Sequence, residues 1–170
     1  MDVSDSPPIQ IREARPSDVV LILEFIQALA DYEKEPDAVH ATEAQLKEHL
    51  FGEKPVAYCL IGFLGDEPAG FALYFFNFST WLGKPGLYLE DLFVKPEFRK
   101  HGLGGALLRA LAQIAVEKDC GRMEWSALDW NRLAIDFYLN LGAVAMDEWT
   151  QYRLTEEGIR RLAEATPGKA

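Results

Sequence analysis

Between Leu87 and Lys118 the chain reads as an apolar strand, a basic glycine-rich turn and a long amphipathic helix, and no other segment restricts the fold as much. Residues 87–94 form a strand-like apolar run, broken only by the adjacent acids Glu90 and Asp91. Leu103, Leu107, Leu111, Ile114 and Ala115 then recur at the spacing of one helix face, which predicts a helix over 102–118. Arg99, Lys100, His101, Gly102, Gly104 and Gly105 lie at the junction. A strand that feeds a long helix through a tight turn is a building unit of sheets covered by helices.

The flanking sequence extends this pattern. Residues 9–14 predict a first strand, and Ser17 is the expected N-cap of a helix with apolar positions Val19, Ile22, Leu23, Ile26, Leu29 and Ala30. That helix runs into Asp-Tyr-Glu-Lys-Glu-Pro-Asp at 31–37, where Pro36 stops it. Thr42 with Gln45 forms a capping box for a short helix to about Phe51, with Gly52 expected at the C′ position. Residues 56–64 and 69–78, joined by Gly65-Asp66-Glu67-Pro68, predict a β-hairpin. After the long helix come a buried strand over 123–128, a helix over 131–141 ended by Gly142, closing strands over 143–154, and a last short helix capped by Thr155-Glu156-Glu157. The expected class is α/β (α+β): a single domain with a central mixed, mostly antiparallel twisted sheet flanked by helices. Its expected bounds are residues 9–165, between a disordered tail at 1–8 and a short tail at 166–170.

Charge narrows the partners. The formal net charge of −10 argues against nucleic acid or an anionic membrane surface and favours a cationic partner. No uncharged apolar run reaches membrane-spanning length, and no charged-then-apolar leader opens the chain, so a cytoplasmic location is expected. Cys59 and Cys120 have neither disulfide-framework nor zinc spacing and read as buried reduced thiols; no metal site is expected.

The chemistry begins at the turn. The start of a helix carries unpaired N–H groups and the positive end of the macrodipole, so it attracts anions. Glycine lets that backbone come within hydrogen-bonding distance of a phosphate, and Arg99 and Lys100 add cationic contacts at the rim. Gly105 is followed by Ala106 and Leu107, which fails the nucleoside-triphosphate loop G-x-x-x-x-G-K-[ST]; Leu107 also stands where the dinucleotide fingerprint needs its third glycine. A pyrophosphate on another ligand remains. In the strand, alternation sends Glu90 and Asp91 to opposite faces, with Leu87, Leu89 and Phe93 on the parity of Asp91 and Tyr88, Leu92 and Val94 on that of Glu90. At least one acid then faces an apolar layer unless a bulge re-aims it, and a buried carboxylate without a cation has its pKa raised, as suits a base facing an ammonium substrate. The alternative is a sheet edge with both acids solvated or paired with Arg or Lys.

Val94, Pro96, Arg99, Gly102 and Gly104, read as V-x-P-x-x-R-x-x-G-x-G, resemble the acetyl-coenzyme A loop of the GNAT superfamily of N-acetyltransferases. Tyr32-Glu33, Trp81 to Lys84, Leu87 to Val94, and Trp130-Asn131 through Phe137-Tyr138 to Gly142-Ala143 extend the resemblance over nearly the whole chain, toward the diamine (spermidine/spermine) and thialysine acetyltransferase branch. The resemblance implies acetyl-CoA held by Leu92, Phe93, Val94, Arg99, Lys100, His101, Gly102, Leu103, Gly104, Gly105, Asn131, Ala134 and Tyr138. It places Tyr138 at the general acid and Tyr32, Glu33, Trp81, Glu90 and Asp91 at the amine, with Glu90 as general base acting through water. A homodimer with C-terminal strands at the interface is also implied, and Trp149 and Tyr152 are aromatics in that region. The substrate implied is a small cationic amine: a diamine, a polyamine or a lysine-like amino acid. Two departures leave it open between a diamine, a lysine-like amino acid and another small primary amine: the connection after Leu64 lacks the longer insertion of polyamine enzymes, and Asp129 stands where the longer Glu is expected. Competing readings are a protein lysine or N-terminal acetyltransferase and a non-catalytic acyl-CoA-binding module.

Overall fold

An Arg–Asp pair fixes how the first strand meets the first helix. The structure, a computed structural model, describes residues 7–165; the two predicted tails therefore lie largely outside the described residues. Strand β1 (Ile9–Glu13) leads into a single 3-10 turn at Pro16–Asp18 and then helix α1 (Val19–Tyr32). The N-cap of α1 is Asp18, one residue beyond the expected Ser17, because its carboxylate is held in place from two sides. It accepts both arms of the Arg12 guanidinium at 2.7 and 3.0 Å and the Arg15 backbone N–H at 2.7 Å. The Arg12 pair holds the Asp18 carboxyl below its ordinary range. Helix α2 (Glu43–Phe51) opens on the predicted Thr42–Gln45 capping box. Gly52 donates to Glu48 O, but its φ of −72° and ψ of −175° are extended rather than left-handed. Glycine is needed there for space, since a Cβ would stand 2.3 Å from that carbonyl oxygen.

β2 (Tyr58–Leu64), β3 (Glu67–Ser79), β4 (Lys84–Val94) and β5 (Arg122–Trp125) complete a five-stranded sheet in the order β1-β2-β3-β4-β5. The first four strands pair antiparallel, and β5 returns parallel to β4 after the crossover helix α3 (Leu103–Glu117). This is the mixed, mostly antiparallel sheet that the sequence predicts. α3 buries Leu103, Leu107 and Leu111 against one face of the sheet. Its first turn sits directly over Gly62, where a Cβ would stand 2.7 Å from Leu103 Cδ1. α1 and α2 cover the other face, where Ile22, Phe25 and Leu50 pack with Cys59, Ile61, Phe71, Leu73 and Phe93. The Phe25 and Phe71 rings stack at 5.4 Å.

The chain divides into two compact units between Ser126 and Ala127. The second contains α4 (Arg132–Asn140) and α5 (Glu156–Glu164). The strands expected over 143–154 are not formed, and β5 ends at Trp125 rather than at 128. A strand is made by its partner as much as by its own residues, and the outer edge of β5 carries no partner strand among the described residues.

Candidate active site

A β-bulge settles the orientation of the two acids. Leu73 pairs with Asp91 and the next residue, Tyr74, pairs with Leu89, so Glu90 is the extra residue on β4. The simple alternation expected from sequence therefore breaks at Glu90. Leu87 and Leu89 face the α3 layer with Tyr74 and Phe76, whereas Asp91 and Phe93 face the α1/α2 layer with Leu73 and Phe71. The parity that groups Leu87 and Leu89 with Asp91 is thus overturned. Glu90 is exposed, while Asp91 is largely withdrawn from water. Burial, with Glu90 and Glu33 as like charges, pushes the Asp91 carboxyl up to about 6. The Glu33 carboxyl is also raised, by desolvation. Among the described residues none of the ion pairs involves Asp91, Glu33 or Glu90.

Glu33 comes to Asp91 because α1 ends there. Tyr32 is its last residue and packs on the core cluster, and Lys34 at φ 66° turns the chain away. Cys59 lies behind this site. Burial, then Asp18 and Asp91, push its thiol up to about 12, so it stays neutral and takes no nucleophilic part. Cys120 is only partly buried, against expectation. Among the described residues no cluster of His, Cys, Asp and Glu is arranged to hold a metal.

The same strand leads into the anion loop. β4 pairs with β5 only from Gly86↔Arg122 to Leu89↔Trp125. Beyond the bulge, residues 90–94 have β3 on one edge and, among the described residues, no strand on the other. Pro96–Phe98 makes a 3-10 turn, Lys100 adopts φ 68°, and Gly102 caps α3 at φ 84°. The first N–H groups of α3 have no acceptor within the helix. A Cβ on Gly105 would meet nothing within 4 Å, and one on Gly104 would only touch Val94 Cγ2 at 4.0 Å. Neither glycine is there for internal packing, and the space before them is open. The loop therefore fits a pyrophosphate-bearing ligand such as acetyl-CoA.

Arg99, expected at the phosphate rim, is held between β4 and the end of α1. Its Nε donates to Val94 O at 3.0 Å, and its guanidinium lies 4.5 Å over the Tyr32 ring and 5.9 Å from the Phe93 ring. This contact was not visible in sequence, where Tyr32 and Arg99 are 67 positions apart. Trp81 is not brought to the acids. It projects from the β3–β4 hairpin tip at 89% exposure, and the seven strand positions from Lys84 to Asp91 span roughly 20 Å. In the second unit, Asn131 caps α4, its Oδ1 accepting from Ala134 N at 3.3 Å, and Tyr138 lies on the same helix beside Phe137. A separate groove of about 540 Å³ between β1 and α3, lined by Ile11, Ala106 and Ile114 among others, contains none of the raised carboxylates or loop glycines.

Residues 22–143 match the profile of the acetyltransferase (GNAT) family. The chain belongs to that family. As a GNAT enzyme it is an acetyl-CoA-dependent N-acetyltransferase. It is 39% identical over 166 residues to the thialysine N-epsilon-acetyltransferase of Bos taurus, covering 91% of this chain and 97% of that one. It is 35% identical over 164 residues to the human spermidine/spermine N(1)-acetyltransferase-like protein 1, covering 91% of this chain but 24% of that longer one. Among solved structures, an integron cassette protein from the mobile metagenome of V. cholerae superposes with a TM-score of 0.77 at 28% identity, covering 92% of this chain and 98% of that one. No helix of the described residues is long and apolar enough to cross a membrane.

Proposed function

We propose that this GNAT enzyme acetylates a primary amine of a small substrate carrying a second positive charge: a diamine, a polyamine or a lysine-like amino acid. The observation that carries this is Asp91, a half-buried carboxylate whose charged neighbours, Glu90 and Glu33, are themselves acidic. Two like charges and a desolvated anion destabilise one another, and a substrate ammonium is the counter-ion that relieves them. The names of the relatives, thialysine and spermidine/spermine acetyltransferases, agree with such a substrate.

In this reading Asp91 and Glu33 hold the cationic end. Glu90, turned to solvent by the bulge, takes the proton of the reacting amine through water. The backbone of residues 92–94, free of a strand on one edge, lines up the thioester arm, and the Leu92 N–H faces the developing oxyanion. The loop at 99–105 takes the pyrophosphate on the N-terminus of α3. Tyr138 supplies the proton that the departing thiolate requires, and the protein works as a homodimer within a single acetyltransferase domain over 9–165.

An acetyl-CoA consumption screen tests the proposal with thialysine, spermidine, short diamines, a monoamine of matched length, a lysine peptide and an aminoglycoside. Thialysine, spermidine or the diamines should turn over, with the monoamine at least tenfold poorer in kcat/KM. Equal turnover of the monoamine, or preference for the peptide, refutes the acidic-site reading. Tyr138→Phe should lower kcat and leave CoA binding intact; unchanged kcat removes Tyr138 from the chemistry.

A further inference from the structure

We propose that Arg99, although it stands in the loop that would take the cofactor, is a positioning residue for the amine site. The inference rests on the amine reading above and adds a residue and a coupling to it. Arg99 brings three elements together. Its backbone is in the β4–α3 connection, its Nε donates to Val94 O at 3.0 Å, and its guanidinium lies 4.5 Å over Tyr32, the last residue of α1. Phe93, on the other flank at 5.9 Å, is two residues from Asp91 and shares its face of the sheet. Glu33 follows Tyr32 directly and is one of the two charges acting on Asp91.

A planar guanidinium stacked on a ring holds its partner in orientation as well as distance, which lysine cannot do in the same way. The stack therefore fixes the end of α1, and with it Glu33, against Asp91. Other groups facing this region are Glu90 on β4, Cys59 on β2, and Lys95, whose Nζ lies 5.5 Å from the Phe25 ring and 6.0 Å from the Phe98 ring. Arg99 links the glycine loop to the end of α1, where Glu33 stands. A ligand that settles the loop thus also settles Glu33, so the two substrates are energetically coupled, and the coupling is reciprocal.

The test uses Tyr32→Leu, Tyr32→Phe, Arg99→Lys and the Tyr32→Leu/Arg99→Lys double variant of the full chain, with acetyl-CoA and spermidine or thialysine as probes. Tyr32→Leu and Arg99→Lys should each raise KM for the amine about three- to tenfold, the range a partly desolvated cation–ring contact gives. With both amine and acetyl-CoA saturating, kcat should fall by a smaller factor than the amine KM rises. The double variant should be no worse than the poorer single one. Tyr32→Phe, which keeps the ring, should stay near wild type. Additive effects, an unchanged amine KM with only acetyl-CoA affinity lost, or a Tyr32→Phe variant as poor as Tyr32→Leu overturns the proposal. A second readout needs no turnover. The Asp91 carboxyl, followed by carbon-13 NMR, should titrate lower in Tyr32→Leu than in wild type, because water enters and Glu33 departs. An unmoved titration overturns the positioning role even if no amine is acetylated, whereas a wild type inactive on every amine refutes only the function proposed above.

Discussion

Replacing Asp91 by Asn should make the protein more stable at neutral pH, and the reason is the cost of keeping Asp91 charged inside the fold. Its carboxyl is raised from 3.8 to about 6 by burial and by Glu90 and Glu33. Each pKa unit corresponds to about 1.4 kcal/mol of differential interaction. The folded state therefore holds the Asp91 proton more tightly than the unfolded chain does. As pH rises from about 4 to about 6, the unfolded chain releases this proton first and stability declines. Above about pH 6.5 the decline is complete, at about 3 kcal/mol. Asn resembles the protonated acid in shape and does not titrate, so Asp91→Asn removes this decline. Urea unfolding at pH 4, 5, 6 and 7.5 should give nearly equal stabilities at pH 4 and an advantage for the variant of about 2–3 kcal/mol at pH 7.5, a midpoint shift of about 1 M. The amine should act in the opposite sense: saturating spermidine or thialysine should stabilise wild type and leave the variant unmoved. An offset that does not change with pH, or a variant less stable at pH 7.5, would refute the reasoning, since either result means that a cation already compensates Asp91.

Two further outcomes test the scaffold around the site. Gly105→Ala should leave the thermal midpoint unchanged or slightly raised, because its Cβ meets nothing within 4 Å and alanine is the better helix former by up to about 1 kcal/mol; acetyl-CoA affinity, read by calorimetry, should nonetheless fall at least tenfold, and unchanged affinity would remove the loop from the pyrophosphate. Asp18→Ala should cost about 2–3 kcal/mol in urea unfolding at pH 7, since it removes the carboxylate that accepts the Arg15 N–H and both arms of the Arg12 guanidinium. Because the Asp18 carboxyl is lowered in the fold, this contribution is present above about pH 4 and is lost as pH falls further, so the gap between the two proteins should close in acid.

What the sequence discloses here is what short-range physics determines. α3 is legible because Leu103, Leu107 and Leu111 repeat at helical spacing, and the α2 start because Thr42 and Gln45 satisfy each other within one turn. The glycine-rich turn at the start of α3 is legible from Gly102, Gly104 and Gly105. That Gly104 and Gly105 face open space, rather than neighbouring side chains, needed the packed fold. The facing of Glu90 and Asp91 was not legible, because a bulge is a property of two strands and its cause lies partly in β3. The Arg99–Tyr32 stack was hidden for a similar reason, joining residues on different elements that only the sheet brings together. Trp81 shows the converse. Its chemistry suits a cation, yet the length of β4 keeps it far from Asp91 in its own chain.

The bulge explains why a chain of this kind carries two adjacent acids in a strand. A regular β4 could keep Leu87 and Leu89 under α3 or Asp91 and Phe93 under α1, but not both, since all four share one parity. Glu90, as the inserted residue, lets each pair face its own layer and is itself left pointing to water. The pairing with β5 ends at Leu89, just before the insertion, so the backbone that follows has an edge without a partner strand among the described residues, leading straight into the glycine loop. One extra residue therefore places a raised carboxylate, a solvated carboxylate and an open strand edge within a few positions of one another. In the function proposed above these parts serve amine capture, proton removal and alignment of a thioester, and their closeness in sequence follows from one local break in the β4 ladder.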